Sequence, residues 1–577
     1  MKKASIFFII SFILFSNYIV SAPSPTEYIV LQQPDGTKFT AEKFNDEFRE
    51  YLRNNFCDMV FNEKDTNYYY GECDDEGKLI PTSYKVGKDE EKFKENLYGI
   101  SYKNGKIFSE INNEIRGVSS INKTAKTATL PSLPTTLDVI LVEFSDIQAR
   151  TSPRRYTTAE FQNMLFSTNN YTHPDGYTTY GSLRKYYRDM SDGSFDITGS
   201  VRNAIDGNGN PIWVRLPNSK TYYDTNSYAT FKNDVWTACA SAGVSTSNSS
   251  SVKLAIIYAG KTWGAHISSP LHPAAFTQDN LYILPERQYD FLDQEDSRSF
   301  FTHIGFHVHE FGHLLGFNDY YLTASTSLEY WCAMGKGFDN DANSTYQLGS
   351  CPAPLNPYLR YIRGWYSNIQ TVSSYLTNEQ IVYNSNFKTT EVYKIPATNK
   401  SGTPNPIEYF LVENRQLGAG AGTNWNKYPD YTGGILIWYI KSSDDTIDLI
   451  EGDNDNSTNI AYDVFRYVSG SIYYKTKLND YTTPDAKLFD DSVSNIVIRN
   501  ISSSSSTMTA DLSPFWGGTI DDSMTWSGLN VYVGENLTIP SGKTITLGVN
   551  STSHCIIYIK QGKKIEVSGE LISSAIQ

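Results

Sequence analysis

The sequence has few histidines, few cysteines and no long apolar run in its main part. Eight histidines occur among 577 residues, so two of them at a metal-binding spacing are informative. The six cysteines include no Cys-x-x-Cys pair, which argues against a zinc site built from thiolates. Beyond residue 22 no stretch reaches the roughly 18 apolar residues that a transmembrane helix needs. We therefore expect no membrane span.

Positive charge is also in deficit. Lysine and arginine number 49 against 63 acidic residues, and the formal net charge is -14. Nucleic acids and anionic membrane surfaces attract basic proteins, so this balance argues against both as partners. The hydrophobic content of 40% is ample for globular folding, and the aromatic content of 14% favours strands. The length predicts roughly three or four domains.

The N-terminus has the composition of a secretory signal peptide. Lys2 and Lys3 precede a short apolar run over residues 6–15, and the Val-Ser-Ala sequence at 20–22 supplies small residues for cleavage. A membrane anchor is the alternative, but the run is short and polar residues interrupt it. We therefore expect residues 1–22 to be removed and the protein to be secreted into the extracellular space.

Two further features fit an exported protein. An even number of cysteines makes disulfides plausible, with Cys57–Cys73 and Cys332–Cys351 as the nearest pairs in sequence. Asn-x-Ser/Thr sequons predict a glycoprotein. The sequons lie at Asn122, Asn170, Asn248, Asn343, Asn399, Asn456, Asn500, Asn536 and Asn550.

The most informative stretch runs from His309 to Asp319 and reads HExxHxxGxxD. Residues four apart share a helix face, so His309 and His313 can bind one metal ion. Gly316 favours a turn at the end of that helix, which brings Asp319 back as a third ligand. Three protein ligands leave a fourth zinc position open for water, which is the catalytic arrangement. The alternative is an amphipathic helix with two incidental surface histidines.

The same pattern assigns a general base. Glu310 follows His309 directly, so its carboxylate reaches a water molecule on the metal rather than the metal itself. Zinc lowers the pKa of such a water to about 7, and Glu310 can take its proton and later protonate the departing amine. Glu329 is the rival third ligand, since some HExxH enzymes take that ligand from a later helix; Gly316 favours Asp319.

Other histidines and tyrosines are secondary candidates. His307 points nearly opposite to His309 on the helix, and with His303 it is interpreted as a packing residue. His266 and His272 follow a buried strand and could line the cleft. The candidates for a tyrosine that stabilises the reaction intermediate are Tyr320, Tyr321 and Tyr330.

The order of apolar runs predicts an α+β fold. Leu137–Phe144 and Leu254–Gly260 have the length and composition of buried strands. Residues 158–166, 182–189 and 300–315 are predicted helices, the last carrying the metal motif. After about residue 366 apolar and polar residues alternate as they do in strands. The end of the sequence consists of short predicted strands that are typical of a small β-solenoid or sandwich.

The expected domain organisation has five parts. They are a signal peptide at 1–22, a propeptide at 23–130, a catalytic domain at 131–370, a β-rich domain at 371–513 and an all-β tail at 514–577.

The chain resembles the immune inhibitor A family of secreted zinc metalloproteases. The resemblance rests on the HEFGHLLGFND sequence, the Met-Gly pair at Met334, and the blocks at Ser182–Tyr187, Gly193–Gly199 and Pro352–Trp365. It covers most of residues 28–513. It implies a metzincin-like catalytic domain with one catalytic zinc ion, a hydrophobic floor at Met334, a latency-conferring propeptide, and protein or peptide substrates.

We therefore predict a secreted zinc-dependent endopeptidase that is made as a zymogen and acts as a monomer. One alternative is an inactive surface- or carbohydrate-binding protein built on a protease fold, which would require a broken ligand set. Another is a different zinc hydrolase, such as a deacetylase.

A calcium ion in the acidic stretch 444–455 is a further possibility. However, the twelve-residue pattern of a calcium-binding loop is incomplete there, which favours a solvated loop. Cys57 could cap the zinc, but a disulfide with Cys73 is favoured in an exported chain.

Overall fold

The computed structural model describes a short N-terminal portion and most of the chain after residue 130. Before that point it describes residues 20–21, 27–45, 50–53, 58–62, 65–73, 79–89 and 92. From 130 to 573 it omits residues 152–154, 175, 177, 262–270, 272, 289–299, 321–327, 341–348, 367–368, 384–390, 417–424, 426–432, 444, 455–461, 472–473, 491, 528–529 and 549–554.

The N-terminal portion is an antiparallel meander. Strands β2 to β7 pair in sequence order, each with the next, so all their connections are local. A two-residue strand, β1, precedes them and pairs elsewhere. The strands are β1 Val20–Ser21, β2 Glu27–Gln32, β3 Lys38–Asn45, β4 Glu50–Arg53, β5 Asp58–Asn62, β6 Asn67–Cys73 and β7 Leu79–Lys85. Cys57 lies outside the described residues, so neither the Cys57–Cys73 bridge nor the capping of zinc by Cys57 can be compared with the structure.

The next part of the chain forms a mixed parallel and antiparallel sheet with helices on both faces. Its strands run in the order β1-β13-β14-β12-β8-β11, and β12 is parallel to both β8 and β14. The strands are β8 Thr136–Glu143, β9 Tyr171–Thr172, β10 Thr178–Thr179, β11 Val214–Arg215, β12 Val252–Lys261, β13 Ala274–Phe276, β14 Leu281–Gln288 and β15 Phe300–Phe301. The helices are α1 Thr158–Phe166, α2 Leu183–Met190, α3 Lys220–Asp224, α4 Tyr228–Ser241, α5 Ile304–Leu314 and α6 Pro357–Ile362.

Helices pack on both faces of this sheet because its central strands are apolar on both. Side chains from α1, α2 and α5 share one core with one face of β8 and β12. Residues of α3 and α4 share a second core with the opposite face. The predicted mixture of α and β structure is therefore confirmed, and the strand predicted at Leu137–Phe144 is β8.

One predicted helix is shorter than expected. The spacing predicts a helix over residues 300–315, but Phe300 and Phe301 form β15 and pair with Gln288 and Arg287 of β14. The helix α5 begins only at Ile304. The helix prediction was wrong at this end because pairing with β14 determines the conformation of the two phenylalanines.

The following region is two facing sheets, antiparallel except for the parallel pairing of the first and third of its strands. One has the order β16-β18-β19-β20-β21 and the other β17-β24-β23-β22. A core of aliphatic and aromatic residues, including Ile395, Phe410 and Ile437, lies between them. The strands are β16 Ile369–Thr371, β17 Leu376–Val382, β18 Val392–Thr398, β19 Pro404–Arg415, β20 Gly434–Lys441, β21 Thr446–Leu449, β22 Leu478–Asn479, β23 Val497–Arg499 and β24 Thr507–Ser513.

The last part of the chain pairs its strands in parallel. β27 pairs in parallel with β25, β29 and β30, while β28 pairs in parallel with β26 and β31. Parallel pairing of short successive strands is typical of a solenoid rather than a sandwich. The strands are β25 Trp516–Thr519, β26 Met524–Ser527, β27 Asn530–Ile539, β28 Thr544–Gly548, β29 Ile556–Ile559, β30 Ile565–Val567 and β31 Glu570–Ser573.

The hydrophobic core around α5 extends into the β-rich region. The core that contains α1, α2 and α5 also contains Leu411 of β19 and Trp438 of β20. Trp425, which lies between these two strands, contacts the rings of Tyr180 and Tyr186 at centroid distances of 4.8 and 5.1 Å. No helix in the described part of the chain combines the length and hydrophobicity needed to cross a bilayer.

Candidate metal centre

The helix α5, which we call the metal helix (residues 304–314), is buried along its whole length. Two glycines allow this close packing. A Cβ atom on Gly305 would lie 1.9 Å from the carbonyl oxygen of Phe338, and one on Gly312 would lie 2.5 Å from the sulfur of Met334. The Tyr187 hydroxyl donates to the carbonyl oxygen of Val308 at 2.6 Å. The helix is therefore fixed by contacts on several sides.

The metal helix ends in the turn that its sequence predicts. Gly316 has φ +92°, a left-handed conformation that glycine adopts without steric cost. Its N–H donates to the carbonyl oxygen of His313 at 2.9 Å, and the N–H of Phe317 donates to that of Gly312 at 3.1 Å. These two bonds form a Schellman motif, which reverses the chain direction. We call residues 315–320 the ligand turn.

The structure brings the three predicted metal ligands together. Nε2 of His309 lies 2.9 Å from Oδ1 of Asp319, and Nε2 of His313 lies 3.3 Å from that oxygen. The two Nε2 atoms are 3.1 Å apart. Ligands at about 2.0–2.1 Å from a tetrahedral zinc ion are separated by about 3.3 Å, so these atoms form nearly one face of such a tetrahedron.

Backbone carbonyl groups orient both imidazole rings. Nδ1–H of His309 donates to the carbonyl oxygen of Ala333 at 2.8 Å, and Nδ1–H of His313 donates to that of Phe317 at 2.9 Å. Because Nδ1 donates to a carbonyl group in each ring, Nε2 is the nitrogen that faces the other ligands. This is the usual way in which an outer partner fixes the tautomer of a metal-binding histidine.

The three side chains interact strongly through their charges. Burial opposes ionisation of Asp319, but the two histidines outweigh it and hold the pKa of Asp319 below its usual range. Burial lowers the pKa of His309, whereas the charge of Asp319 overcomes burial and raises the pKa of His313 to about 9. Oδ2 of Asp319 is buried and has no hydrogen-bond partner among the described residues. A cation between these groups would satisfy the carboxylate.

Glu310 lies within this buried environment. Its side chain has no exposed surface. Its negative charge contributes to the raised pKa of His313. Burial and then the charge of Glu310 raise the pKa of Tyr282 on β14. The carboxylate is therefore close to the ligand group and to the sheet beside it, as a general base requires.

Met334 lies directly beneath the metal helix. It is wholly buried, and its sulfur packs against Gly312, next to His313. Its carbonyl oxygen accepts the N–H of Tyr320 at 2.9 Å. This position fits the predicted floor under the ligands, and the role itself stays a prediction.

Of the four secondary histidine candidates, the structure describes His303 and His307. His307 is wholly buried on the opposite side of α5, and its Nδ1 lies 2.8 Å from the hydroxyl oxygen of Tyr282. Burial lowers the pKa of His307 to about 3, which fits the predicted packing role. His303 occupies the N-cap position of α5, and its ring packs against that of His173. His266 and His272 lie outside the described residues.

The structure describes two of the three tyrosine candidates, but not the side chain of Glu329, the rival third ligand. The Tyr320 hydroxyl donates to Oδ2 of Asp445 at 2.7 Å, so it is engaged away from the ligand group. Tyr330 stacks near Lys336, with the ammonium nitrogen 5.8 Å from the ring centroid. Tyr321 lies outside the described residues. Glu329 begins a short 3-10 helix, Glu329–Trp331, and its side chain is not described.

The expected cysteine pairing and calcium site find no support in the structure. Cys332 is present as a buried thiol, so it is not joined to Cys351. A buried thiol packs as a small apolar group, and such packing requires no bond between the two cysteines. Oxygens of Glu451, Asp453 and Asp463 approach within 4.8 Å of one another. However, Asp463 already accepts the indole N–H of Trp331 at 2.7 Å.

Sequence analysis missed Asp445. This residue follows β20 in the β-rich region, yet it contacts both neighbours of Asp319 across 127 and 125 sequence positions. The only signal was the acidic stretch 444–455, which was considered for calcium. The sequence also contained no sign that the backbone carbonyl groups of Ala333 and Phe317 orient the two histidines, because every residue has a carbonyl group.

A comparison with known families bears on the strands and helices upstream of the metal helix. Residues 135–249 match the family model described as immune inhibitor A peptidase M6, catalytic domain. The match includes β8, α1, α2 and α4 and contains the blocks Ser182–Tyr187 and Gly193–Gly199. It ends before His309. No curated protein matches the chain. The match confirms the resemblance to the immune inhibitor A family of metallopeptidases over these residues.

Proposed function

We propose that the chain is a secreted zinc-dependent endopeptidase in which Glu310 is the general base and His309, His313 and Asp319 hold the zinc ion. The observation that carries the proposal is the geometry of these ligands. Two Nε2 atoms and one carboxylate oxygen lie 2.9 to 3.3 Å from one another, and both Nδ1 atoms are engaged elsewhere.

The donor set suits zinc. Imidazole nitrogens combined with one carboxylate oxygen are ligands that zinc prefers, and three of them leave one position for water or substrate. When bound, zinc supplies a Lewis acid that polarises the substrate carbonyl and lowers the pKa of a coordinated water. The buried Oδ2 of Asp319 supports the fit, because an ionised carboxylate in this environment requires a nearby cation.

Glu310 carries the proton that passes from the attacking water to the departing amine. Glu310 accepts a proton from the attacking water as the new carbon–oxygen bond forms at the peptide carbonyl. It then donates that proton to the amine nitrogen as the carbon–nitrogen bond breaks, so the carboxylate is regenerated. His309 and His313 keep their orientation throughout, because Ala333 and Phe317 hold their Nδ1–H groups.

The proposal includes the setting of the enzyme. The signal-like residues 1–22 support secretion, and the meander formed between residues 27 and 85 supports a separate propeptide. The metzincin-like character of the catalytic region rests on the ligand motif followed by Met334 beneath the helix. We propose protein or peptide substrates and a monomeric enzyme.

The test is Glu310→Gln in the purified, processed protein. Glutamine keeps the size of the side chain but cannot accept the proton, so casein cleavage should fall at least about 100-fold. Bound zinc, measured by atomic emission, should stay at about one ion per chain. The matched control is Glu566→Gln, the same chemical change at an exposed position of β30, which should leave both values unchanged.

Each outcome has a distinct meaning. Full cleavage by Glu310→Gln would refute the role of Glu310 while leaving the metal site intact. A wild-type protein that binds zinc but cleaves no casein or unstructured peptide would favour the inactive binding protein. Absence of zinc from the wild-type protein would overturn the proposed function as a whole.

A further inference from the structure

We infer that Asp445, a residue of the β-rich region, is a positioning residue for the metal ligand Asp319. This inference rests on the proposed function. It assigns to the β-rich region a part in the metal site that neither the ligand motif nor the family match contains.

The first step is the pair of contacts that Asp445 makes. Its Oδ2 accepts a hydrogen bond from Nδ2 of Asn318 at 2.7 Å and another from the hydroxyl of Tyr320 at 2.7 Å. Asn318 and Tyr320 are the residues immediately before and after Asp319. A single carboxylate oxygen therefore fixes the chain on both sides of the ligand. Hydrogen bonds to an ionised acceptor are about twice as strong as those between neutral groups.

The second step is that the ligand turn belongs to no helix or strand after its Schellman motif. The helix ends at Leu314, and Gly316 is followed by Phe317, Asn318 and Asp319 without helix or strand. In contrast, Asp445 belongs to a short connection between paired strands, in which Lys441 of β20 lies opposite Thr446 of β21. Its φ of +57° is a left-handed conformation that aspartate tolerates better than most residues. A residue between paired strands thus contacts a segment that has no regular secondary structure.

The third step connects Asp445 to the histidines. Tyr320 is buried, and its hydroxyl donates a hydrogen bond to Oδ2 of Asp445. The N–H of Tyr320 donates to the carbonyl oxygen of Met334 at 2.9 Å. The neighbouring carbonyl, that of Ala333, orients His309. A displacement of Tyr320 therefore affects Asp319 directly and His309 through Met334 and Ala333.

A second contact links the two regions near the same segment. The indole N–H of Trp331 donates to Oδ2 of Asp463, and Nη1 of Arg415 donates to the Trp331 carbonyl oxygen at 3.4 Å. Trp331 lies three residues before Met334. The β-rich region thus holds the segment beneath the ligands as well as the ligand turn.

The experiment measures zinc affinity in the full-length, processed protein. Asp445→Asn keeps the shape of the side chain and removes its charge, and Asp445→Ala removes both acceptor oxygens. Competition with a zinc chelator should show affinity reduced about 10- to 100-fold for Asp445→Ala, the usual effect of losing an outer partner of a metal ligand. Asp445→Asn should show a smaller loss. The control is Asp490→Asn, at an exposed position of the same region.

A second measurement separates positioning from general stability. Cobalt(II) replaces zinc in tetrahedral sites and its visible spectrum reports ligand geometry, so the spectrum of Asp445→Ala should differ from that of the wild type. Tyr320→Phe removes the hydroxyl donor from the other side of the contact and should lower affinity in the same direction. The double variant should lose less than the product of the two single losses, because both act through one hydrogen bond.

The outcomes distinguish this inference from the proposed function. If the wild type binds zinc and cleaves casein while Asp445→Ala keeps its zinc affinity within twofold and its cobalt spectrum, the inference is overturned and the proposed function stands. A fall in melting temperature without a change in either metal measurement would have the same meaning. If the wild type binds no zinc, the proposed function itself fails.

Discussion

The metal helix and the ligand turn contribute to one site but are held in place differently. The metal helix carries His309 and His313, is buried on all sides, and receives its shape from its own backbone hydrogen bonds. The ligand turn carries Asp319 and depends on one left-handed glycine and on Asp445, a residue from another region. The comparison shows that the helix backbone brings two ligands to one face, whereas the third lies on a turn whose flanking residues contact another region.

The largest expected effect tests whether the ligand turn supplies a ligand at all. Asp319→Ala removes the carboxylate, and zinc affinity should fall more than about 100-fold, beyond the 10- to 100-fold effect of outer partners. Glu329→Gln should leave affinity unchanged. Both are measured by chelator competition. Retained affinity in Asp319→Ala together with lost affinity in Glu329→Gln would transfer the third ligand to Glu329.

The next prediction compares the loss of stability when one glycine in the ligand turn or one in the metal helix is replaced by alanine. Gly316→Ala in the ligand turn places a Cβ at φ +92° and 2.6 Å from Cδ of Pro131, so the free energy of unfolding should fall by about 3 kcal/mol. Gly312→Ala in the metal helix meets the sulfur of Met334, which can move, and gains about 1 kcal/mol of helix propensity. Its net loss should be about 1 kcal/mol.

Urea unfolding of the metal-free proteins measures both values, since bound zinc would add its own stabilisation. Equal losses in the two variants would show that the turn is no more constrained than the helix, and the comparison would fail.

A third effect concerns the sheet beside the metal helix. Burial raises the pKa of Glu286 on β14 to about 7, against the opposing effects of Arg287 and of the N–H groups of Arg150 and Gly260. Between the ordinary glutamate pKa and 7, the folded protein binds more protons than the unfolded one, so this group lowers stability as pH rises. Relative to the wild type, Glu286→Gln should therefore gain about 2 kcal/mol between pH 5 and pH 7.

Urea unfolding at several pH values measures this difference. A constant difference between the two proteins over that range would show that Glu286 ionises in the folded state as it does in the unfolded chain.

The sequence predicted those features that depend on local pattern. Helix α1 lies at the predicted residues 158–166, and its capping box between Thr157 and Glu160 is a local interaction. The turn at Gly316 was predictable because a glycine after an apolar helix favours a left-handed end. The strand at Leu137–Phe144 was predictable from an apolar run of suitable length.

The remaining features depend on contacts between distant parts of the chain. Phe300 and Phe301 follow the helical pattern, yet pairing with β14 makes them a strand. Asp445 contacts the ligand turn across more than a hundred positions, and no periodicity encodes that distance. The carbonyl of Ala333 orients His309, but a backbone group leaves no trace in the residue type.

The tryptophan side chains between the two regions have a consequence for how the protein unfolds. Trp425 is buried against Tyr180 and Tyr186, and its indole N–H donates to Asp189 at 2.9 Å. We expect such a shared interior to couple the unfolding of the two regions, because neither can lose its structure without exposing apolar surface of the other. A fragment cut at residue 370 would lack Trp425, so we expect it to be less stable than the same residues in the whole chain.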